Sequence, residues 1–293
     1  MTVQMAVLAS GSQGNSTLLQ VAGSGLLIDV GLGPRALATR LESVGSTWER
    51  ISSAILTHTH GDHVNNATLL QLARLAVPFY CHEGHRIALS HLPGFQALEQ
   101  HRLVRHYDET PFLSVNGLGI EPLELSHDGG PTYGFRVEAR ADRRTRPVAI
   151  GYLADTGHWT DAMADAMSHV DLLGIEFNHD VEMQRLSPRS PRLIARNLGD
   201  RGHLSNRQGA DFVKAVLDRS APGSLRHLVL LHLSQQCNHP TLAVGTARET
   251  IRPFRRRIAV HAASQSIASP NLLISPAAPR KSETRAEGVS LPF

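Results

Sequence analysis

Cysteine is nearly missing from this chain: Cys81 and Cys237 are its only two in 293 residues. Two cysteines in a chain of this length make no disulfide framework, so cross-links are excluded as the basis of the fold and a cytoplasmic, reducing setting is expected. Each thiol reads as a small buried apolar group. Aromatic residues are sparse, and no apolar run of about 18 residues occurs, which excludes a membrane-spanning helix. The N-terminus has no basic segment leading into an apolar stretch, so Met1–Ser10 reads as a first strand and not as a signal peptide. An excess of one charge is also missing. The 29 basic residues against 26 acidic ones give +3, too mild to be a nucleic-acid signature by itself. With 41% hydrophobic and 19% charged residues the composition is that of an ordinary globular protein, large enough for one large domain or two small ones.

The basic residues are unevenly placed. Between Val181 and Arg207 there are six arginines (Arg185, Arg189, Arg192, Arg196, Arg201 and Arg207) against two acids, Glu182 and Asp200. Arginine suits phosphate because its planar fork donates parallel hydrogen bonds. Phosphate contact and a solvated face remain equally open for this stretch. Arg140, Arg143, Arg144 and Arg146 read as a hairpin tip, and Arg255–Arg257 form a third cluster.

Apolar runs of strand length recur at 3–8, 18–21, 26–30 and 51–56, and again at 118–125, 132–139, 147–153, 170–177 and 227–233. Shorter runs at 78–81, 111–115 and 257–261 allow further strands. Helical spacing appears after Pro34, over 66–75, 159–167, 190–199, 205–218 and 241–251. Two groups of strands, each mixed with helices, predict two packed sheets covered by helices on the outside. A domain over 1–262 is expected. The Ser-, Pro- and Ala-rich residues 263–293 read as a loosely held extension.

What the chain has in abundance is histidine at strand ends. Thr57-His-Thr-His-Gly-Asp-His63 follows the run Ile51–Leu56, placing His58, His60, Asp62 and His63 on one turn. Imidazole is the commonest side-chain metal ligand, and a carboxylate adds a hard anionic oxygen. His127, Asp155 and His232 each follow an apolar run in the same way. Seven such side chains exceed the needs of one four-coordinate ion and suit two divalent cations, zinc or manganese, with a carboxylate between them. The loop Ser10-Gly-Ser-Gln-Gly-Asn-Ser16 could present backbone N–H groups to a phosphate or serve as a tight turn.

The order HxHxDH, then His, Asp and His, resembles the metallo-β-lactamase superfamily. That resemblance spans residues 1 to about 262 and implies an α/β fold, a four-layer αββα sandwich with a dinuclear metal site at one edge of the sheets. By motif position it implies that His58, His60 and His127 hold the first ion, that Asp62, His63 and His232 hold the second, and that Asp155 bridges them. Asp29, in Leu-Ile-Asp-Val-Gly, matches the aspartate that supports such sites without binding metal.

Within the superfamily, Leu8-Ala-Ser-Gly-Ser-Gln-Gly-Asn-Ser16, Glu176-Phe-Asn-His-Asp-Val-Glu-Met-Gln-Arg185 and Gly202-His-Leu-Ser-Asn206 resemble the YycJ (WalJ) subfamily, described as 5′-to-3′ DNA exonucleases. Glu176 and His203 match in order a pair that tRNase Z relatives use to protonate the leaving oxygen. The resemblance therefore implies phosphodiester hydrolysis of nucleic acid, with catalytic Asp62, Glu176 and His203. In such a site, a water activated between two cations attacks phosphorus in line, Asp62 orients it, and Glu176 holds His203 as the general acid. Ser12, Asn15, His179 and Arg185 are the candidate substrate contacts. The gap from Asp155 to His232 is too short for the insertion of RNase J-type nucleases. A small-molecule hydrolase of the same fold is the alternative, and a metal-stabilised binding module a third. No membrane contact and no obligate protein partner are expected.

Overall fold

In a computed structural model, residues 2–140 and 145–276 are described. The first sheet is built from β1 (Val3–Ala9), β2 (Ser16–Val21), β3 (Ser24–Ile28), β4 (Ile51–Ile55), β5 (Phe79–His82) and β6 (Val104–Tyr107). The second runs β13-β12-β11-β10-β9-β8-β7, with β7 (Phe112–Leu113), β8 (Gly119–Glu124), β9 (Tyr133–Ala139), β10 (Val148–Leu153), β11 (Leu172–Glu176), β12 (His227–Leu231) and β13 (Ala259–Ala262). The chain then returns to the first sheet, where β14 (Leu272–Ile274) pairs antiparallel with β1. In each sheet one half is antiparallel and the other parallel: β3 to β6 run parallel in the first, β10 to β13 in the second.

Period-two patterning sorts side chains between the layers. Leu26 and Ile28 face the space between the sheets, whereas Leu27 faces outward. Val229 and Leu231 point inward and Leu228 and Leu230 outward. Met5, Leu19, Phe135, Val137 and Ile150 fill the centre. On the outside of the first sheet, α1 (Pro34–Ser43), α2 (Asn66–Arg74), α3 (Arg86–Leu89) and α4 (Pro93–Gln100) lay Leu37, Leu41, Leu69, Leu72, Leu89, Phe95 and Leu98 over Leu8, Leu18 and Phe79. Next come α5 (Asp161–Ala166), the short α6 (Val181–Arg185) and α7 (Pro191–Leu198). Over the second sheet, α5, α8 (Asn206–Arg219) and α9 (Pro240–Ile251) set Met163, Phe212, Val216, Ala243 and Ala247 on Leu173 and Ile175. Each such apolar side chain stabilises the fold by about 1.5–3 kcal/mol. This is the expected four-layer αββα order.

Several parts of the chain depart from the sequence expectation, among them the short helices α3 and α6. Helix α4 and strand β6 lie in a stretch with no periodic signal. In β6 only Val104 and Tyr107 turn inward, while Arg105 and His106 are exposed, as befits an edge strand. Residues 263–276 are not a loose extension: β14 buries Leu272 and Ile274, and Ser269 exchanges two hydrogen bonds with Val7. The remaining tail, 277–293, lies outside the described residues, as do Arg143 and Arg144 of the basic cluster. Arg146 of that cluster pairs with the buried Asp171 at 3.2 Å. No helix among the described residues is long and apolar enough to cross a membrane.

Candidate metal centre

All the strand-end residues singled out in the sequence meet at one rim. β3 ends before Asp29, β4 before Thr57-His58, β8 before Leu125-Ser-His127, β10 before Ala154-Asp155, and β12 before His232. Glu176 is the last residue of β11. Three of these residues leave their strands with left-handed backbone: Asp29 at φ 63°, Asp155 at φ 56° and His232 at φ 53°. Such angles are uncommon away from glycine and cost of order 1 kcal/mol or more each, a strain that surrounding contacts hold in place. His232 is pinned by its own N–H to Ser10 Oγ at 2.8 Å and by Asn178 Nδ2 to its carbonyl at 2.8 Å. Gly31 lets the loop after β3 press on the histidine turn, since a Cβ there would lie 1.8 Å from the Asp62 carbonyl oxygen.

Two clusters of donor atoms result. In the first, His60 Nδ1 lies 3.1 Å from His58 Nε2 and 3.2 Å from His127 Nε2. Three imidazole nitrogens at this spacing match ligands on one tetrahedral cation, where bonds of about 2.0–2.1 Å set neighbours roughly 3.3 Å apart. The opposite nitrogens are already engaged. His127 Nδ1 donates to the Gly202 carbonyl at 2.8 Å, and His58 Nδ1 meets Thr57 Oγ1 at 3.0 Å. Lone pairs are thereby directed inward.

In the second cluster, His63 donates from Nδ1 to Asp29 Oδ2 at 2.8 Å, leaving Nε2 to face Asp155 Oδ2 at 2.9 Å. Asp62 Oδ2 stands 3.7 Å from both His63 Nε2 and His232 Nε2. Asp155 joins the clusters. Its Oδ2 faces His63 and, at 3.5 Å, His58, while Oδ1 lies hard against His232 Nδ1. Asp155 Oδ1 and His232 Nδ1 are both buried without a hydrogen-bond partner. Donor atoms so placed fit divalent cations, and the groupings of His58, His60 and His127, of His58, His63 and Asp155, and of Asp155, Glu176, His203 and His232 could each hold one.

Electrostatics agree. Burial alone would lower the basicity of His63 and His232, but the carboxylates of Asp29 and Asp155 hold His63 well above its ordinary range, and Asp155 with Glu176 raises His232 to about 10. A site that pulls protons onto buried imidazoles attracts a cation for the same reason. By contrast, burial and neighbouring imidazoles keep His58 and His127 below the ordinary range, in the neutral form that binds metal.

Beside the clusters, His203 Nδ1 donates to Glu176 Oε1 at 2.7 Å. The other oxygen of Glu176 accepts from the backbone N–H of Thr156 at 2.9 Å and of Leu204 at 3.2 Å. Against the cost of burial, the imidazoles of His203 and His232 hold the Glu176 carboxyl down at about 2, so it is a fixed anion. The ring of His203 sits 5.0 Å from that of His127 and 5.2 Å from that of His232.

The expected substrate contacts fare differently. Asn15 is buried, and its amide is spent on Gly11, on Asp62 Oδ2 at 3.1 Å and on His63 Nε2 at 2.9 Å. It shapes the histidine turn, and with Ser10 on the backbone of His232 the loop Ser10–Ser16 braces the site. Ser12 is exposed at the tip of that loop. Arg185 is exposed on α6 and pairs with Glu182 at 3.5 Å. His179 is buried, with neither ring nitrogen bonded.

Sequence reasoning missed Asp128. Its Oδ1 lies 3.6 Å from both His60 Nε2 and His127 Nε2, and Arg196 grips it through Nε at 2.5 Å and Nη2 at 2.6 Å. The only signal was its place after His127, and the partner 68 residues away is a matter of folding.

Comparison with known proteins places this geometry. The family described as the beta-lactamase superfamily domain matches residues 25–232. A protein named Exodeoxyribonuclease WalJ from Streptococcus pneumoniae (strain D39) is 30% identical over 245 residues, covering 81% of this chain and 84% of that protein. One named Exodeoxyribonuclease YycJ from Bacillus anthracis is 28% identical over 243 residues, covering 83% and 87%. Among solved structures, the metallo-beta-lactamase fold protein YhfI from Bacillus subtilis superposes with a TM-score of 0.63 at 17% identity, over 92% of this chain and 99% of that one. With its two sheets, its rim of histidines and aspartates, and this match over most of its length, the chain belongs to the metallo-β-lactamase superfamily, in the branch of the WalJ and YycJ proteins, and is a metal-dependent hydrolase.

Proposed function

We propose that this enzyme is a dinuclear-metal phosphodiesterase that hydrolyses DNA, removing nucleotides from a 5′ end. The observation that carries the reading is the Glu176–His203 pair, 2.7 Å between heteroatoms, set against both donor clusters. Its relatives' name, exodeoxyribonuclease, supports the choice of polymer.

His58, His60 and His127 would hold one cation, and His63, Asp62 and His232 the other, with Asp155 between them. When bound, two zinc or manganese ions supply Lewis acidity: they acidify water and neutralise charge on a phosphate. The chain's own residues do the rest. Asp62, 20% exposed and braced by Asn15, accepts a hydrogen bond from the attacking water and aims it at phosphorus. His203 keeps Nδ1 on Glu176 and presents Nε2 to the leaving sugar oxygen, to which it gives its proton. Glu176, held by two backbone N–H groups, fixes the orientation of the ring. General acid help of this kind is worth about 10²–10⁴-fold. Arg201, whose Nη2 reaches the His127 carbonyl at 3.3 Å, stands at the mouth of the site, where a phosphate would arrive.

Cys81 and Cys237 are buried free thiols, which suits a reducing compartment, and we place the enzyme in the cytoplasm. The test is incubation of metal-loaded protein with 5′-labelled duplex DNA, single-stranded DNA, RNA and bis(p-nitrophenyl) phosphate. Release of nucleotides from the DNA end is expected. Turnover of the small diester with all polymers untouched would refute the nuclease reading and favour a small-molecule hydrolase.

A further inference from the structure

A guanidinium bound only by neutral oxygens lies in the segment next to the Glu176 strand end. Arg189 is half-buried and held by neutral oxygens: Nε by Gln236 Oε1 at 3.0 Å, Nη1 by Gln184 Oε1 at 3.2 Å and Nη2 by Ser234 Oγ at 3.3 Å. No carboxylate is among these partners. Gln184, on α6, is fully buried, and its Nε2 has no hydrogen-bond partner. That nitrogen belongs to the amide whose oxygen Arg189 holds, so it lies next to the guanidinium. His179, just ahead of α6, is buried with both ring nitrogens unpartnered. Ser234 lies two residues past His232, and its N–H donates at 2.8 Å to the carbonyl of Asn178, whose side chain holds the His232 carbonyl, so this group adjoins the second donor cluster.

Buried polar groups are normally paired, because an unpaired donor in a low-dielectric interior is costly. Here the unsatisfied atoms sit around a guanidinium already fixed in orientation, so the complement they call for is an anion with several acceptor oxygens. Phosphate has that shape and charge. A terminal phosphate fits better than an internal one. Gln184 and His179 are buried, and a group can meet them only end-on, whereas an internal phosphate carries strand on both sides. A terminal monoester also bears more negative charge than a diester.

Resting on the nuclease reading above, we propose that Arg189, Gln184, His179 and Ser234 form a pocket for the 5′-terminal phosphate of the nucleotide being released, and that this pocket selects the end from which the strand is consumed. Arg189 forms the half-exposed rim, and the two buried residues receive the oxygens that enter furthest.

Two oligonucleotides, identical except for a 5′-phosphate or a 5′-hydroxyl, test this with the metal-loaded enzyme. Equilibrium binding by fluorescence anisotropy and the separate values of kcat and KM are the readouts. The wild type is expected to bind the phosphorylated end about tenfold more tightly and to show the difference in KM, with kcat little changed. Arg189→Gln should erase the ratio. Gln184→Glu, which sets a carboxylate against the incoming phosphate, should lower it independently and so guards against a folding defect in the first variant. Equal binding of the two ends by the wild type, or a ratio unchanged in both variants, overturns the pocket, even if DNA is cleaved. Discrimination in binding without cleavage of either strand upholds the pocket and refutes the nuclease reading instead.

Discussion

The Asp155 carboxylate touches both halves of the site: Oδ2 faces His63 Nε2 at 2.9 Å and His58 Nε2 at 3.5 Å, while Oδ1 meets His232 Nδ1. One short side chain, at the end of β10, thus ties the turn after β4 to the end of β12, across the two sheets. Asp155→Ala should reduce bound metal from about two ions per chain to about one, because the shared ligand is lost. Metal analysis after dialysis checks this, and full retention would contradict the bridging role.

Asp29 does not face the clusters, yet it fixes the tautomer of His63 through the 2.8 Å bond to Nδ1. Its carboxylate also accepts from the Thr57 N–H at 2.8 Å and hydroxyl at 2.9 Å. Asp29→Asn should weaken metal binding at the second cluster by about 10–100-fold while leaving the fold intact, since the charge that raises the basicity of His63 is gone. Competition with a graded series of chelators measures the affinity. An unchanged affinity would mean that His63 is not a ligand.

For the general acid, the leaving group is the discriminating variable. His203→Ala should slow DNA cleavage by about 10²–10⁴-fold and hydrolysis of bis(p-nitrophenyl) phosphate far less, because p-nitrophenolate departs without a proton. Steady-state rates on both substrates decide it. Equal slowing would rule out proton donation to the leaving oxygen.

The two sheets, the helices over them and the rim of histidines and aspartates were legible in the sequence because each rests on a local signal. Leu26-Leu-Ile28 and Leu228-Val-Leu-Leu231 alternate between layers, and His58, His127, Asp155 and His232 follow such runs directly. What was not legible depends on contacts between distant segments. Asn15 read as a candidate substrate contact, and the partners that engage its amide, Asp62 and His63, lie 47 and 48 residues away. Nothing in Asn271-Leu-Leu-Ile274 marks it as a strand apart from an apolar run, and its partner β1 is at the other end of the chain. Arg189 looked like one more arginine of a basic stretch, and only its neutral partners set it apart.

Away from the metal centre, His85 offers a pH probe of stability. It is buried, its Nε2 donates to the Pro131 carbonyl at 2.7 Å, and burial pushes the imidazole down to about 4. An unfolded histidine takes up its proton near pH 6.5, so acid favours the unfolded chain. The contribution is intact above about pH 6.5 and falls away as pH drops towards 4, by an amount on the order of 1–3 kcal/mol. Urea midpoints from pH 7 to 5 should therefore decline less steeply in His85→Gln than in the wild type. Parallel slopes would show that the ring is not held neutral.

Truncation tests the role of β14. Ending the chain at residue 262 should lower the melting temperature and promote self-association, because the outer edge of β1 is then open. A melt and a sedimentation profile unchanged from the full chain would show that the edge needs no cover.

That last pairing carries a consequence for the order of events during synthesis. β1 leaves the ribosome more than 250 residues ahead of its partner β14. Between them, β2 can fold back on β1 at once, but its other flank stays open for more than 250 residues of elongation. Ser10, whose hydroxyl holds the backbone of His232, sits just past that same strand and waits almost as long for its partner. Over that interval the nascent chain carries an open strand edge and a rim not yet completed by His232. Exposed strand edges of this kind are what makes partly made chains prone to aggregate, and here the exposure is set by the distance between two short strands.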